Sequence, residues 1–285
     1  MVNPARIRGK VTPGGPDFLK IPVTFPAPDR IMEASLIGTK TEKMKKGLVL
    51  LAFFAGIMAV NAQEKVIKDA NAKEIKVGSF EGVEISGGID LYLSQGTEDK
   101  VALSAKDPED LEKIEAFVEN DMLVVRFKKG NSWWSNQWNT MGKHFRAYVS
   151  ARTLRKVSVA GSGNVYVSGI IKSERFALDL AGSGNFEGDV KADKMEVNQA
   201  GSSNVRIGGS AEEASFTTSG SGNVMGYEMV VDNCNVSISG SGNIQITANK
   251  ELSAATSGSG NVSYRGSAVI RNLSSSGSGR IRKVD

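Results

Sequence analysis

The sequence predicts an all-β protein: a single-stranded parallel β-helix, or solenoid, of about seven coils of 18–21 residues, preceded by an irregular β-rich N-terminal half. Three observations predict it. The first is a corner, Gly-Ser-Gly-Asn followed by a β-branched or aromatic residue, which runs from Gly161 to Val165 and returns at Gly182, Gly201, Gly220, Gly240 and Gly258. A seventh copy at Gly277 carries Arg280 in place of Asn. The second is spacing: Asn164, Asn185, Asn204, Asn223, Asn243 and Asn261 are 21, 19, 19, 20 and 18 residues apart, and Arg280 follows after 19. The third is a pair of apolar columns that keep step with the corner.

Seven residues before the corner Asn stand Val157, Leu178, Val197, Phe216, Val236, Ala254 and Leu273. One residue after it stand Val165, Phe186, Val205, Val224, Ile244, Val262 and Ile281. The position six before is mostly polar (Ser158, Asp179, Asn198, Thr217, Ser237, Ala255, Ser274) and is expected to face outward. Alternation on both sides of a fixed corner reads as strand, turn, strand. Gly opens the corner in all seven copies, as positive φ or close backbone approach requires, and fills its third position in six, with Ser203 the exception. One coil buries too few apolar side chains to offset the ordering of some twenty residues, so the coils must stabilise one another. Parallel crossovers imply a right-handed path.

The corner asparagines are expected to form a structural ladder. Asn tolerates left-handed backbone, and stacked Asn side chains bond amide to amide. A calcium-binding row would need carboxylates, and these corners have none. A phosphate-cradling loop would need the Gly-Lys-Ser/Thr ending that no copy carries.

The front of the chain has a different composition. Residues 1–62 hold nine Lys/Arg and four Asp/Glu, leaving 26 basic and 27 acidic side chains in the rest, so the basic balance does not imply nucleic-acid binding by the repeats. Six of seven prolines fall in residues 1–28. From Met44, Lys45 and Lys46 precede an apolar run from Leu48 to Val60 and a small-residue triplet ending at Ala62. This pattern predicts a signal peptide over 44–62 and a mature start at Gln63. Thirteen apolar residues are too few for a span of about twenty, so no stable membrane span is expected after cleavage. No Cys follows the run to carry a lipid anchor. Residues 1–43 read as upstream sequence translated in error or a disordered extension, and 63–74 as a disordered lead. Export across the inner membrane, to the periplasm, the outer-membrane surface or beyond, follows.

The domain proper is expected over 75–285, with irregular strands and a hairpin in 75–150 and the coils in 151–285. Alternation marks strands around Ile75–Val77, Val83–Ile85 and Val101–Ala105. Ser86 to Leu93 reads as a shortened corner of an imperfect early coil. Asp107, as N-cap, and Pro108, at the first helical position, predict one or two helical turns. Asn120-Asp121 predicts a hairpin between Phe117–Glu119 and Met122–Phe127. His144 to Val149 is a strand leading into the repeats. This half is expected to cover one open end of the solenoid.

The run from Phe80 to Gly96, the Val125 to Gly130 block and the later Ser-Gly-Ser-Gly-Asn-Val repeats together resemble the secreted DUF2807 proteins, called auto-transporter adhesins of the head GIN domain type and common in Bacteroidota. The resemblance covers about Ile75 to Asp285. It implies a β-solenoid and an envelope location, and it brings no catalytic motif to carry over.

Candidate chemistry is sparse. His144 and Cys234 are the only His and Cys, which leaves no all-protein His/Cys zinc set, and no cofactor is expected. Cys234 shares a column with Phe176, Met195, Ala214 and Leu252 and reads as a small core residue. Glycoside hydrolysis needs two carboxyls about 5–10 Å apart. Asp179 and Glu196 fall on neighbouring coils, as do Glu187 and Arg206, the latter read as a surface salt bridge. Trp133, Trp134 and Trp138 lie in a polar loop, Asn131 to Gly142, and either offer flat faces to a sugar or protein partner or fold back to seal the solenoid end. The reading is a secreted non-catalytic solenoid for adhesion or recognition at the bacterial envelope, contacting an envelope or host glycan or a surface protein. A polysaccharide-active β-helix enzyme and a purely structural envelope protein are its alternatives.

Overall fold

The computed structural model of the chain describes residues 69–128 and 144–285. The leader, the 1–43 extension and the tryptophan loop therefore lie outside the described residues. The strands are β1 (Lys73–Ile75), β2 (Gly82–Gly87), β3 (Ile89–Gln95), β4 (Lys100–Ala105), β5 (Ile114–Glu119), β6 (Met122–Phe127), β7 (Phe145–Ala151) and β8 (Lys156–Gly161). They continue as β9 (Val165–Gly182), β10 (Phe186–Gly201), β11 (Asn204–Gly220), β12 (Asn223–Gly240), β13 (Asn243–Gly258), β14 (Asn261–Arg265), β15 (Val269–Gly277) and β16 (Ile281–Lys283).

The repeat is a parallel β-solenoid. Each corner glycine stands beside the next, Gly161 by Gly182, Gly201, Gly220, Gly240 and Gly258 in turn. The reason only Gly serves is visible at Gly201: its φ is 118°, and a Cβ there would sit on the carbonyl oxygen of Gly182. Both apolar columns are buried through the middle coils, and Phe176, Met195, Ala214, Cys234 and Leu252 stack in register within the core. Burial pushes the Cys234 thiol up to about 12. Ser203, the exception at the third corner position, also points inward. The side-chain amide of Gln199 donates to its Oγ at 2.9 Å, and the Thr218 hydroxyl donates to the Gln199 carbonyl at 3.1 Å. This buried polar cluster answers its own donors.

Two expectations of burial and capping change. Leu273 and Ile281 belong to the apolar columns, yet Leu273 is 43% exposed and Ile281 half-buried, because among the described residues no further coil covers β15 and β16. The helical turn at Pro108–Lys113 is 3₁₀, and the Asp107 side chain makes no capping bond. Asp110 N–H instead donates to the Asp107 carbonyl, and β5 begins at once in the hairpin with β6, so no α turn develops.

The N-terminal half extends the same sheet. β2 pairs with β8 and β3 with β9, making the first coil. Its corner is full length, not shortened: Gly87 (φ 89°) stands by Gly161 and Leu91 by Val165, which brings Asp90 to the ladder position beside Asn164. Beyond it, β6 lies parallel to β2, β5 completes the hairpin with Asn120 and Asp121 at φ 50° and 60°, and β7 lies parallel to β3. β4 and β1 then add antiparallel. Among the described residues no helix is long and apolar enough to cross a membrane.

Candidate functional site

The corner Asn side chains form one chain of hydrogen bonds along the solenoid. Asn164 Nδ2 donates to Asp90 Oδ1 at 3.0 Å, Asn185 to Asn164 at 2.8 Å, Asn204 to Asn185 at 3.0 Å and Asn223 to Asn204 at 3.1 Å. Asn243 donates to Asn223 and Asn261 to Asn243, both at 2.9 Å, and the Arg280 backbone N–H closes on Asn261 Oδ1 at 3.1 Å. Most acceptor oxygens also take the backbone N–H of the next coil, as Asn164 Oδ1 takes that of Asn185 at 3.2 Å.

Two residues past the ladder, the outer face changes character along the axis. Tyr148, Tyr92 and Tyr166 stand in register on β7, β3 and β9, each neighbouring pair stacked at 5.2 Å between ring centroids. Tyr148 is buried, and its hydroxyl donates to Asp69 Oδ2 at 2.7 Å. Burial and the Asp69 carboxylate together hold its pKa far above the usual phenol range. Tyr166, half-buried, ends the stack, and burial raises its pKa too, with Asp90 adding to it. The column then continues as Glu187, Arg206, Met225 and Gln245.

Beside this column lies an open cleft of about 970 Å³. Unequal coils create it. Between the same flanking register positions β9 has four residues (Val167 to Ile170), β10 two (Gly188, Asp189), β11 two (Ile207, Gly208) and β12 three (Gly226 to Glu228). Two short coils thus sink between longer walls, Tyr166 on one side and Tyr227 on the other. Arg265 lies over the Tyr227 ring at 4.2 Å and holds it. Two glycines keep the floor low: a Cβ on Gly188 would overlap the Val167 side chain, and one on Gly208 would overlap the Asp189 carboxylate.

The other sequence candidates fall elsewhere. Trp133, Trp134 and Trp138 lie outside the described residues. Asp179 and Glu196 do approach each other, since Asn198 Nδ2 donates to both, at 3.0 and 2.8 Å, but Asp179 is also bound by Lys156 at 2.8 Å. Burial works to raise the Asp179 pKa, and the Lys156 and Asn198 hydrogen bonds outweigh it, so it stays below its usual value and ionised. That suits a surface anchor, not a general acid. Glu187 and Arg206 stand side by side in register, but no ion pair joins them. Among the described residues no three His, Cys, Asp or Glu side chains gather to hold a metal. The cleft itself was missed in the sequence, although its signal is there: the spacings 21, 19, 19 and 20 place two short coils between longer ones.

Comparison with known proteins locates the fold. No match arises among functionally curated proteins. The chain is similar to the crystal structure of a "putative adhesin" from Bacteroides fragilis, with 21% identity, a TM-score of 0.66, and coverage of 75% of this chain and 96% of that one. A "putative lipid binding protein" from Parabacteroides distasonis aligns with 22% identity and a TM-score of 0.60, and a "putative adhesin" from the same species with 19% and 0.57; each covers 75% of this chain and 96% of its own. Likeness at that identity carries the solenoid alone. Family membership rests on sequence: the family model described as "Putative auto-transporter adhesin, head GIN domain" matches residues 79–268, and the chain belongs to this DUF2807 family.

Proposed function

We propose that the protein is exported, matures at Gln63, and works without catalysis as an adhesion or recognition protein of the bacterial envelope, with residues 75–285 as its binding domain. The observation that carries this reading is the cleft, a recessed and aromatic-walled surface on a rigid stack of coils. The family description and the adhesin names of the structural neighbours support it. The charge, apolar run and small-residue triplet of 44–62 support export. Trp133, Trp134 and Trp138, three aromatic side chains within six residues of sequence, are a second candidate contact surface. N-terminal sequencing of protein recovered from the native envelope should read from Gln63. Labelled protein should then bind envelope or host-cell surfaces saturably. A species retaining residues 1–43, or no saturable binding to any surface, overturns the reading.

Lipid contact is a second reading. It draws on the apolar open end, where Val269, Ile270 and Leu273 are exposed, and on the neighbour named a lipid binding protein.

A further inference from the structure

We infer that the cleft over β10 and β11 binds an oligosaccharide chain that carries no acidic groups, neutral or amine-bearing. This deepens the recognition reading above and rests on it.

Shape comes first. A trough made by two short coils between two longer ones is open to solvent, and so admits a chain passing through. A lipid tail would ask instead for enclosing apolar walls. The walls are rings: Tyr166 ends a stack of three, and Tyr227 is fixed under Arg265. Flat aromatic walls suit the apolar faces of sugar rings, and their hydroxyls can reach sugar oxygens.

The charges are the second, independent observation. Glu187, Asp189, Arg206 and Glu228 line the cleft, and among the described residues none of the four has an ion-pair partner. Elsewhere on the solenoid several surface charges are paired, Lys156 with Asp179, Lys194 with Glu213 and Lys250 with Asp232. Four uncommitted charges around one trough supply the hydrogen bonds a polyol needs: carboxylates accept from sugar hydroxyls, and the Arg206 fork donates to them. Three carboxylates against one guanidinium leave the lining net negative. That repels uronate, sulfate or phosphate and attracts an ammonium group.

The test is titration calorimetry of the full chain with hexamers of glucose, mannose, N-acetylglucosamine, glucosamine and galacturonate, run beside phosphatidylethanolamine vesicles. At least one acid-free hexamer should bind saturably and the galacturonate hexamer should not. Arg206→Ala should weaken that binding by about tenfold or more, a loss of about 1.4 kcal/mol, with no change in melting temperature because Arg206 is exposed and unpaired. Tyr166→Ala should weaken it similarly. Reversing charge with Glu187→Lys and Glu228→Lys should abolish any preference for glucosamine and admit galacturonate.

No binding to any acid-free hexamer, binding untouched by all these variants, or binding only to vesicles overturns the proposal. The recognition reading is tested separately. Saturable binding to envelope or cell surfaces that survives every cleft variant removes the cleft and keeps recognition, whereas no surface binding at all removes both.

Discussion

At its N-terminal end the solenoid carries β6 and the hairpin against β2, and β7, β4 and β1 against β3; at its C-terminal end no further strand among the described residues pairs with β15 or β16 on their outer side. The sequence patterns of the two ends differ less than their environments. Val83, Ile85, Leu91 and Leu93 of the first coil are buried beneath that cover. Ile270 and Leu273 occupy the corresponding kind of core position in the last coil and are 38% and 43% exposed. A column assigns a side chain to the inside of its coil; burial depends on whether another layer follows. Phe216 and Leu273, members of one column, make the contrast measurable.

Phe216→Ala, in a middle coil and fully buried, should cost about 3–5 kcal/mol in denaturant unfolding, whereas Leu273→Ala should cost about 1 kcal/mol or less. Equal losses would mean that the open end is covered in solution.

Gly201→Val should cost at least about 1–3 kcal/mol from backbone strain, since its φ of 118° disfavours any side chain and a Cβ meets the Gly182 carbonyl. Gly277→Val meets the same φ, 117°, but in the uncovered coil, and a smaller drop in melting temperature is expected because that coil can fray alone.

Asn204→Ala interrupts the side-chain ladder in the middle, removing the bonds to Asn185 and from Asn223, for about 1 kcal/mol. An unchanged melting temperature would separate the ladder from stability.

Acid should distinguish the ends as well. Burial works to raise the Asp69 pKa, but hydrogen bonds from Tyr148, Ser104 and the Asn71 backbone, with the Arg146 charge, bring it below its ordinary 3.8. A carboxyl depressed in the folded state stabilises above its unfolded pKa, and that contribution is lost as pH falls below 3.8 through the folded value. Hydrogen exchange should therefore accelerate in β1, β4 and β7 on acidification below this point, before the middle coils open. Uniform loss along the chain would show that Asp69 does not hold that end.

The smallest effect is expected from charge at the open end. Arg280→Asn with Arg282→Thr and Lys283→Thr removes the basic side chains along an unpaired strand edge and should promote self-association in sedimentation at high concentration. A monodisperse variant would show that these residues do not guard the edge.

The solenoid was legible because its constraints recur: a residue that must be Gly at Gly161 must be Gly again at Gly182, and Val157 and Leu178 repeat one inward position. The features that occur once were harder to see. By sequence Asp90 falls in a shortened corner, because its coil lacks the Ser and Asn that mark the others, and only pairing of Gly87 with Gly161 restores the count. The cleft hid in a different way. Spacings of 21, 19, 19 and 20 read as scatter around a period until the register shows every extra residue inserted at one side of the coil, beside Gly188 and Gly208. Leu273 needed its place in the stack, which no local pattern contains.

Asp90 also stands at one pole of a column whose far end it never touches. By its side chains alone a column of amides could pass hydrogen bonds in either direction, but the backbone N–H groups of Asn185, Asn204 and Asn243 donate to the Oδ1 of the coil below and so require those carbonyls to face upward. The Asp90 carboxylate accepts both the Nδ2 and the backbone N–H of Asn164. Placed at the foot of the column, Asp90 takes the downward NH₂ of Asn164, so the column ends on an acceptor that agrees with the direction kept up to Asn261. The six amide dipoles then add along the axis, positive toward Asp90 and negative toward Arg280, so the anion and the cation each stand at the pole that favours them. Backbone donors and one acidic side chain thus agree on a single direction and give the ladder an electrical polarity.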